Sequence, residues 1–244
     1  MMMSKALQFL LLCSSLSALA YGNWESIPGA LTHVTASVNY LWGVNAANQI
    51  FKCERPCNGN WERIDGLLKQ IDAGDEEVWG VNSADNIFKR PVDGSGSWEL
   101  IPGLLKHVTA SGNGYIWGVN SGDAIFKCKK PCNGEWINVP GLLKQIDGGQ
   151  AYVYGVNKLD DIFARSVDGS GVWRHIPGKL KHVSGSGKSE VFGVNGADDI
   201  FRCPKPCFGE WKIVPGKLMQ CDATFDAVFG VNKASTIFRL GTGI

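Results

Sequence analysis

Apolar residues recur along this chain in short alternating runs. Trp98-Glu99-Leu100-Ile101 is followed by Lys106-His107-Val108-Thr109, then Tyr115-Ile116-Trp117-Gly118-Val119 and Ile125-Phe126-Lys127, with Gly, Asn, Asp or Pro at the junctions. A period of two over so few residues marks half-buried strands, and no segment long enough for a helix holds a 3.6-residue apolar period. The pattern predicts an all-β chain. It also repeats. The same succession of a Trp strand, an apolar strand, aromatic-Gly-Val-Asn and Ile-Phe begins at Trp24, Trp61, Trp98, Trp136, Trp173 and Trp211, a spacing of 37 or 38 residues.

A tandem period of that length means a single repeat architecture, in which no copy buries its apolar face alone. Six four-stranded units around an axis make a six-bladed β-propeller, an arrangement that leaves only short, protected sheet edges. The phase of the repeat predicts how blades are shared. If each blade takes its second, third and fourth strands from one copy and its outer strand from the next Trp segment, then Trp24 to Ile27 complete the last blade and the ring is closed through the N-terminal Trp strand.

The first twenty residues break the pattern. Lys5, an apolar and small-residue run from Ala6 to Leu19, and the ending Ala18-Leu19-Ala20 read as a secretory signal peptide over 1–20, which leaves a mature domain of 21–244. The run is too short to anchor the chain in a bilayer, and nothing later resembles a membrane span. A formal net charge of +1, with charged residues at 19%, lacks the basic excess that nucleic-acid or membrane-surface binding requires.

Cysteine placement reveals a longer, two-repeat period. Beyond Cys13 in the leader, Cys53 and Cys57, Cys128 and Cys132, and Cys203 and Cys207 form Cys-x3-Cys pairs in the first, third and fifth copies only. Alternate blades stand too far apart for a disulfide, so three local bridges are expected. Cys221 replaces the Ile or Val of the other copies and reads as a buried thiol, with an intermolecular disulfide as the alternative. The inner strand alternates too: His33, His107 and His182 exchange with Gln70, Gln145 and Gln220, and Thr35, Thr109 and Ser184 with Asp72, Asp147 and Asp222. Three histidines and three carboxylates in approximate three-fold array invite a metal site at the channel mouth. The Gln/His exchange suits a hydrogen-bonding role equally well, and no residue is assigned as a metal ligand.

The polar candidates recur copy by copy, whereas a catalytic centre sets one nucleophile or acid pair apart. There is no Gly-x-Ser-x-Gly element, and the Gly-rich tracts at Gly94 and Gly169 lack the Lys and helix of a phosphate loop, so an enzyme is not expected. Sugar recognition needs an aromatic face for C–H groups and amides or carboxylates for hydroxyls. Trp42 with Asn45 and Asn48, Trp79 with Asn82 and Asp85, Trp117 with Asn120 and Asp123, Tyr154 with Asn157 and Asp160, and Phe192 with Asn195 and Asp198 are candidate carbohydrate-binding sets; Ser235 makes the sixth copy weakest. Each component also has a structural reading: the Asn starts a turn that bonds its own backbone, and the ring is an inter-blade wedge.

The repeat Trp-x-x-Ile-Pro-Gly-x-Leu, Lys-His/Gln-Ile/Val, aromatic-Gly-Val-Asn and Ile-Phe-Lys resembles the tectonin β-propeller repeat over residues 24–240, and the leader with its Cys-x3-Cys pairs resembles the secreted fish-egg lectins of that family. The resemblance implies a secreted, extracellular lectin for sugars such as N-acetylglucosamine and galactose on microbial or egg-surface glycans, acting in innate defence or agglutination. It implies no required cofactor, although some members are linked with calcium, and it leaves room for a homo-oligomer. An extracellular protein-interaction scaffold without sugar binding is the rival reading.

Overall fold

A computed structural model describes residues 23–110 and 112–241. The predicted leader at 1–20, with Cys13, lies outside them. Among the described residues there are 24 strands and no helix, arranged as six four-stranded antiparallel sheets. The first blade comprises His33–Ala36 innermost, then Tyr40–Val44, Gln49–Glu54 and, outermost, Glu62–Leu67. Its outer strand is the Trp segment of the next copy, as the repeat phase predicts, and the next four blades are built the same way. The segment Glu25–Ile27 lies against Ile237–Gly241, with Glu25 opposite Arg239 and Ile27 opposite Ile237.

The blades meet through apolar seams. Trp42 is fully buried in one cluster with Val44 and Ile50 of its own blade and with Ile71, Ala73 and Val78 of the next. The glycine after each such ring is dictated by crowding: a Cβ on Gly118 would stand 2.4 Å from Leu105 Cδ1 and 2.8 Å from the His107 carbonyl. In the outer strand, Gly103 combines a φ of 120° with close approach to the Trp136 indole, 2.8 Å from a would-be Cβ to Nε1. Only glycine fits both demands. The Pro-Gly pair thus forms a bulge in an edge strand, where a missing N–H is tolerated.

The three predicted disulfides are present, Cys53–Cys57, Cys128–Cys132 and Cys203–Cys207, with Cα separations of 5.6, 5.6 and 5.5 Å. Cys221 is a buried free thiol packed with Phe192, Val214 and Leu218. Burial pushes its pKa well above the ordinary thiol range and keeps it protonated.

Candidate functional site

The innermost strands line the axis, and their alternation sorts the polar side chains into levels. His33 stands opposite Val44 and Gln70 opposite Val81, which puts the histidines and glutamines at one level. Thr35 pairs with Trp42 and Asp72 with Trp79, so the hydroxyls and carboxylates share a second level two residues, or about 6.6 Å, further along.

The glutamines lace blades together. Gln70 Nε2 donates to the Val108 carbonyl at 2.9 Å and its Oε1 accepts from Val108 N–H at 3.0 Å. Gln145 does the same to Val183, and Gln220 to Val34. The remaining seams are laced by hydroxyls: Thr35 Oγ1 accepts from Ala73 N–H, Thr109 Oγ1 from Gly148 N–H and Ser184 Oγ from Ala223 N–H, at 3.0, 3.1 and 3.0 Å. The odd/even alternation therefore divides the work between two kinds of seam.

At the hydroxyl level, Asp72, Asp147 and Asp222 converge. One carboxylate oxygen from each lies within 4.8 Å of the other two, and all three residues are buried. Backbone N–H groups of Ala110, Gly185 and Ala36 donate to them at 2.6, 2.6 and 2.9 Å. Burial, and then the neighbouring Asp147 charge, raise Asp72 to about 7; burial also raises Asp147 and Asp222, the latter well above the usual range. Three carboxylates this close and this dry cannot all ionise without a counter-charge.

Cations bond the backbone at or beside these N–H donors. Arg55, Lys130 and Lys205, each inside a Cys-x3-Cys loop, donate to the carbonyls of Ser37, Ala110 and Gly185 at 2.8, 2.8 and 2.6 Å. Burial lowers Lys205 to about 8 while Asp147 opposes the shift. Composition alone did not single out these residues; the basic residue before Pro in all three loops was the available signal.

At the other level the rings of His33, His107 and His182 form a nearly equilateral triangle, with centroids 6.3, 6.2 and 6.3 Å apart in edge-to-face contact. Burial lowers His33 to about 4, opposed by the Ile71 backbone; burial, then the His33 and Lys106 charges, lower His107 to about 3; burial, then the other two histidines with Lys181 and Lys144, hold His182 well below 6.5. All three are neutral near pH 7.

The Asn-rich hairpins surround the histidine end of the axis. Asn82 Oδ1 accepts from Ala84 and Asn86 N–H at 3.0 and 2.9 Å, and Asn45, Asn120, Asn157 and Asn195 repeat the turn. Asn48, Asp85, Asp123, Asp160 and Asp198 occupy its left-handed position with φ from 60° to 66°, a conformation that Asn and Asp adopt more readily than other L residues. Asp85, Asp123, Asp160 and Asp198 further pair with Lys69, Lys106, Lys144 and Lys181. Trp42, Trp79, Trp117, Tyr154 and Phe192 sit behind the hairpins with at most 1% exposure. A covered ring has no face for a sugar, so a glycan at these hairpins would meet polar groups alone.

Among the rings that recur in every copy, the outer-strand tryptophans keep an exposed side. Trp24, Trp61, Trp98, Trp136, Trp173 and Trp211 are half-buried in the grooves between blades. Each indole N–H donates to a carbonyl of the preceding blade, as Trp98 Nε1 does to Asp65 at 2.8 Å and Trp173 Nε1 to Pro140 at 2.9 Å. Over these two rings lie the guanidinium groups of Arg90 and Arg165, 5.7 and 5.8 Å from the ring centroids. Both belong to copies that carry Val-Asp-Gly-Ser-Gly in place of a disulfide.

The tectonin domain matches residues 13–94 and 68–244, which together span the whole array. The chain belongs to the tectonin family. A 34-residue stretch of this tectonin is 60% identical to Lectin L6 of Tachypleus tridentatus, covering 14% of the chain and 15% of that protein's length. In fold it is similar to YCF48 from Cyanidioschyzon merolae (TM-score 0.61, 12% identity, 90% of this chain and 99% of that one). It is also similar to virginiamycin B lyase from Staphylococcus aureus (TM-score 0.61, 13% identity, 92% and 100%). At such identities the likeness concerns the fold alone. No helix among the described residues is long and apolar enough to cross a membrane.

Proposed function

We propose that this tectonin is a secreted, multivalent carbohydrate-binding lectin for N-acetylglucosamine- or galactose-type sugars on microbial or egg-surface glycans, with no catalytic role. The observation that supports it best is the union of the tectonin match across residues 13–244 with the identity to a lectin in one stretch. The ring adds a physical reason. Near-identical grooves recur around a rigid disc, so sites of millimolar strength for a single sugar gain about 10² to 10⁴ in avidity on a repeating glycan. Two surfaces compete for the role: the hairpin sets around Asn45, Asn82, Asn120, Asn157 and Asn195, and the rim grooves with half-exposed indoles, of which Trp98 and Trp173 carry flanking guanidinium groups.

Retention on N-acetylglucosamine- or galactose-agarose, with elution by the free sugar, is the test. The wild type is expected to be held. Trp98→Ala with Trp173→Ala is expected to abolish retention if the rim binds, and Asn82→Ala with Asn157→Ala if the hairpins do. A folded wild type that ignores every sugar on a glycan array would turn the reading toward an extracellular interaction scaffold.

Calcium, implied by resemblance, fits the residues present. Asp72, Asp147 and Asp222 offer a buried cage of hard oxygen donors whose protonation is otherwise enforced by their proximity. They are the residues that would hold the ion, and its charge would allow all three to ionise. The ion would thereby tie three of the six blades to one point on the axis.

A further inference from the structure

The three histidines at the other level carry a separate inference. The geometry points to a second metal site on the axis, in which His33, His107 and His182 bind one zinc-class divalent transition ion through their imidazole nitrogens.

Four observations combine. The ring centroids are mutually 6.2 to 6.3 Å apart, which places each about 3.6 Å from their common axis. An ion bound at about 2.1 Å from each nitrogen sits roughly 3.2 Å from each centroid, so the rings need to move inward by about half an ångström and turn. The turning is cheap. Both ring nitrogens of His107 and both of His182 are shielded from solvent and have no hydrogen-bond partner among the described residues, so rotation breaks nothing there. Terminal ring torsions of this kind are also broad.

His33 is set up differently, and usefully so. The Ile71 backbone acts on its ring as a polar neighbour, the kind of outer-sphere group that orients metal-binding imidazoles. The glutamines at the same level are all occupied in lacing blades, which keeps amide oxygens from competing for the ion. Neutral imidazoles prefer zinc, copper or nickel to calcium, whereas the carboxylate level has the reverse preference, so the two levels separate metals by donor chemistry. The histidines are half-buried as residues and lie at the Asn-hairpin ends of their strands. Three ligands leave a fourth position for water or an incoming donor from that side.

The experiment uses the full mature chain, stripped with EDTA, and titrates it with Zn²⁺ by calorimetry and with Co²⁺ by visible absorption. One ion per chain and the strong d–d bands of a nitrogen-rich four-coordinate site are expected, undiminished by excess Ca²⁺. His107→Gln, which copies the residue of the alternate blades at that register, is expected to weaken binding by at least about 100-fold. Asp72→Asn is expected to leave the cobalt spectrum unchanged. Absence of Zn²⁺ and Co²⁺ binding by the folded wild type overturns the site. So does binding that survives replacement of all three histidines by Gln, or that disappears with Asp72→Asn, because either result places the ion elsewhere. Thermal melting and size-exclusion profiles of each variant distinguish a lost ligand from a lost fold.

Discussion

Tyr154 shows what a single position costs. Its hydroxyl is buried without a hydrogen-bond partner, whereas the indole N–H groups of Trp42 and Trp117 at the same register reach the Val92 and Val167 carbonyls at 3.0 Å. Burial drives the phenol up to about 12, in line with a polar group held where water cannot reach it. Phe192 and Phe229 fill the same place with no hydroxyl at all. Tyr154→Phe should therefore stabilise the fold by about 1 kcal/mol, a rise of roughly 2–4 °C in Tm; a fall on calorimetry would show that the hydroxyl has a partner. At this scale the sequence displayed which residues recur but not their orientation. The hairpin asparagines could be read in advance as turn formers, since one residue and its own backbone suffice. Whether the ring behind them faced solvent depended on the neighbouring blade, which no local pattern records.

Among elements, the outer strand carries the most consequence because each blade takes it from another copy. Glu25–Ile27 contributes a buried Ile27 and three register pairs to the blade of Ile237–Gly241, while the Trp24 indole donates to the Pro215 carbonyl of the preceding blade at 2.7 Å. Deleting Trp24 to Pro28 removes an apolar side chain, a cross-blade bond and one edge of a sheet together. A fall of about 5–10 °C in Tm is expected, and an unchanged melting curve would refute ring closure through this strand. Strand identity, repeat phase and the three short disulfides were legible in the sequence because each follows from spacing. The cations of the Cys-x3-Cys loops were not: their targets are carbonyls of the same blade's inner hairpin and, for Arg55, the Asp226 carboxylate of the neighbouring blade, which only the folded ring brings near.

For the whole molecule, the two levels on the axis oppose each other in pH. The histidines are held neutral below their ordinary 6.5, so the unfolded chain binds more protons there and their contribution to stability is lost as pH falls from about 6.5 toward 4. The carboxylates are raised from 3.8, Asp72 to about 7, so their contribution is present at low pH and is lost as pH rises through that window. Lys106, Lys144 and Lys181 add to the shift of the histidines, and Asp147 and Asp72 to that of the carboxylates. In EDTA the two trends should offset each other in a plateau between about pH 4 and 6.5, and Tm should fall as pH rises above 6.5, where only the carboxylates still lose protons; calcium should restore the upper end. With Gln at 33, 107 and 182 the plateau should become a slope, Tm rising as pH falls. A flat profile above pH 6.5 in EDTA would mean that the carboxylates are already compensated without the ion. The sequence showed the three-fold alternation behind all this, but the distance from side chain to axis, which decides whether such groups meet, is a property of the closed ring.

The double period has a further meaning. Each pair of blades donates one imidazole and one carboxylate, so no pair possesses a ligand set of its own. Axial chemistry exists only while every seam is shut, and an ion held there is a latch shared by three equal parties. Parting any one of them releases it.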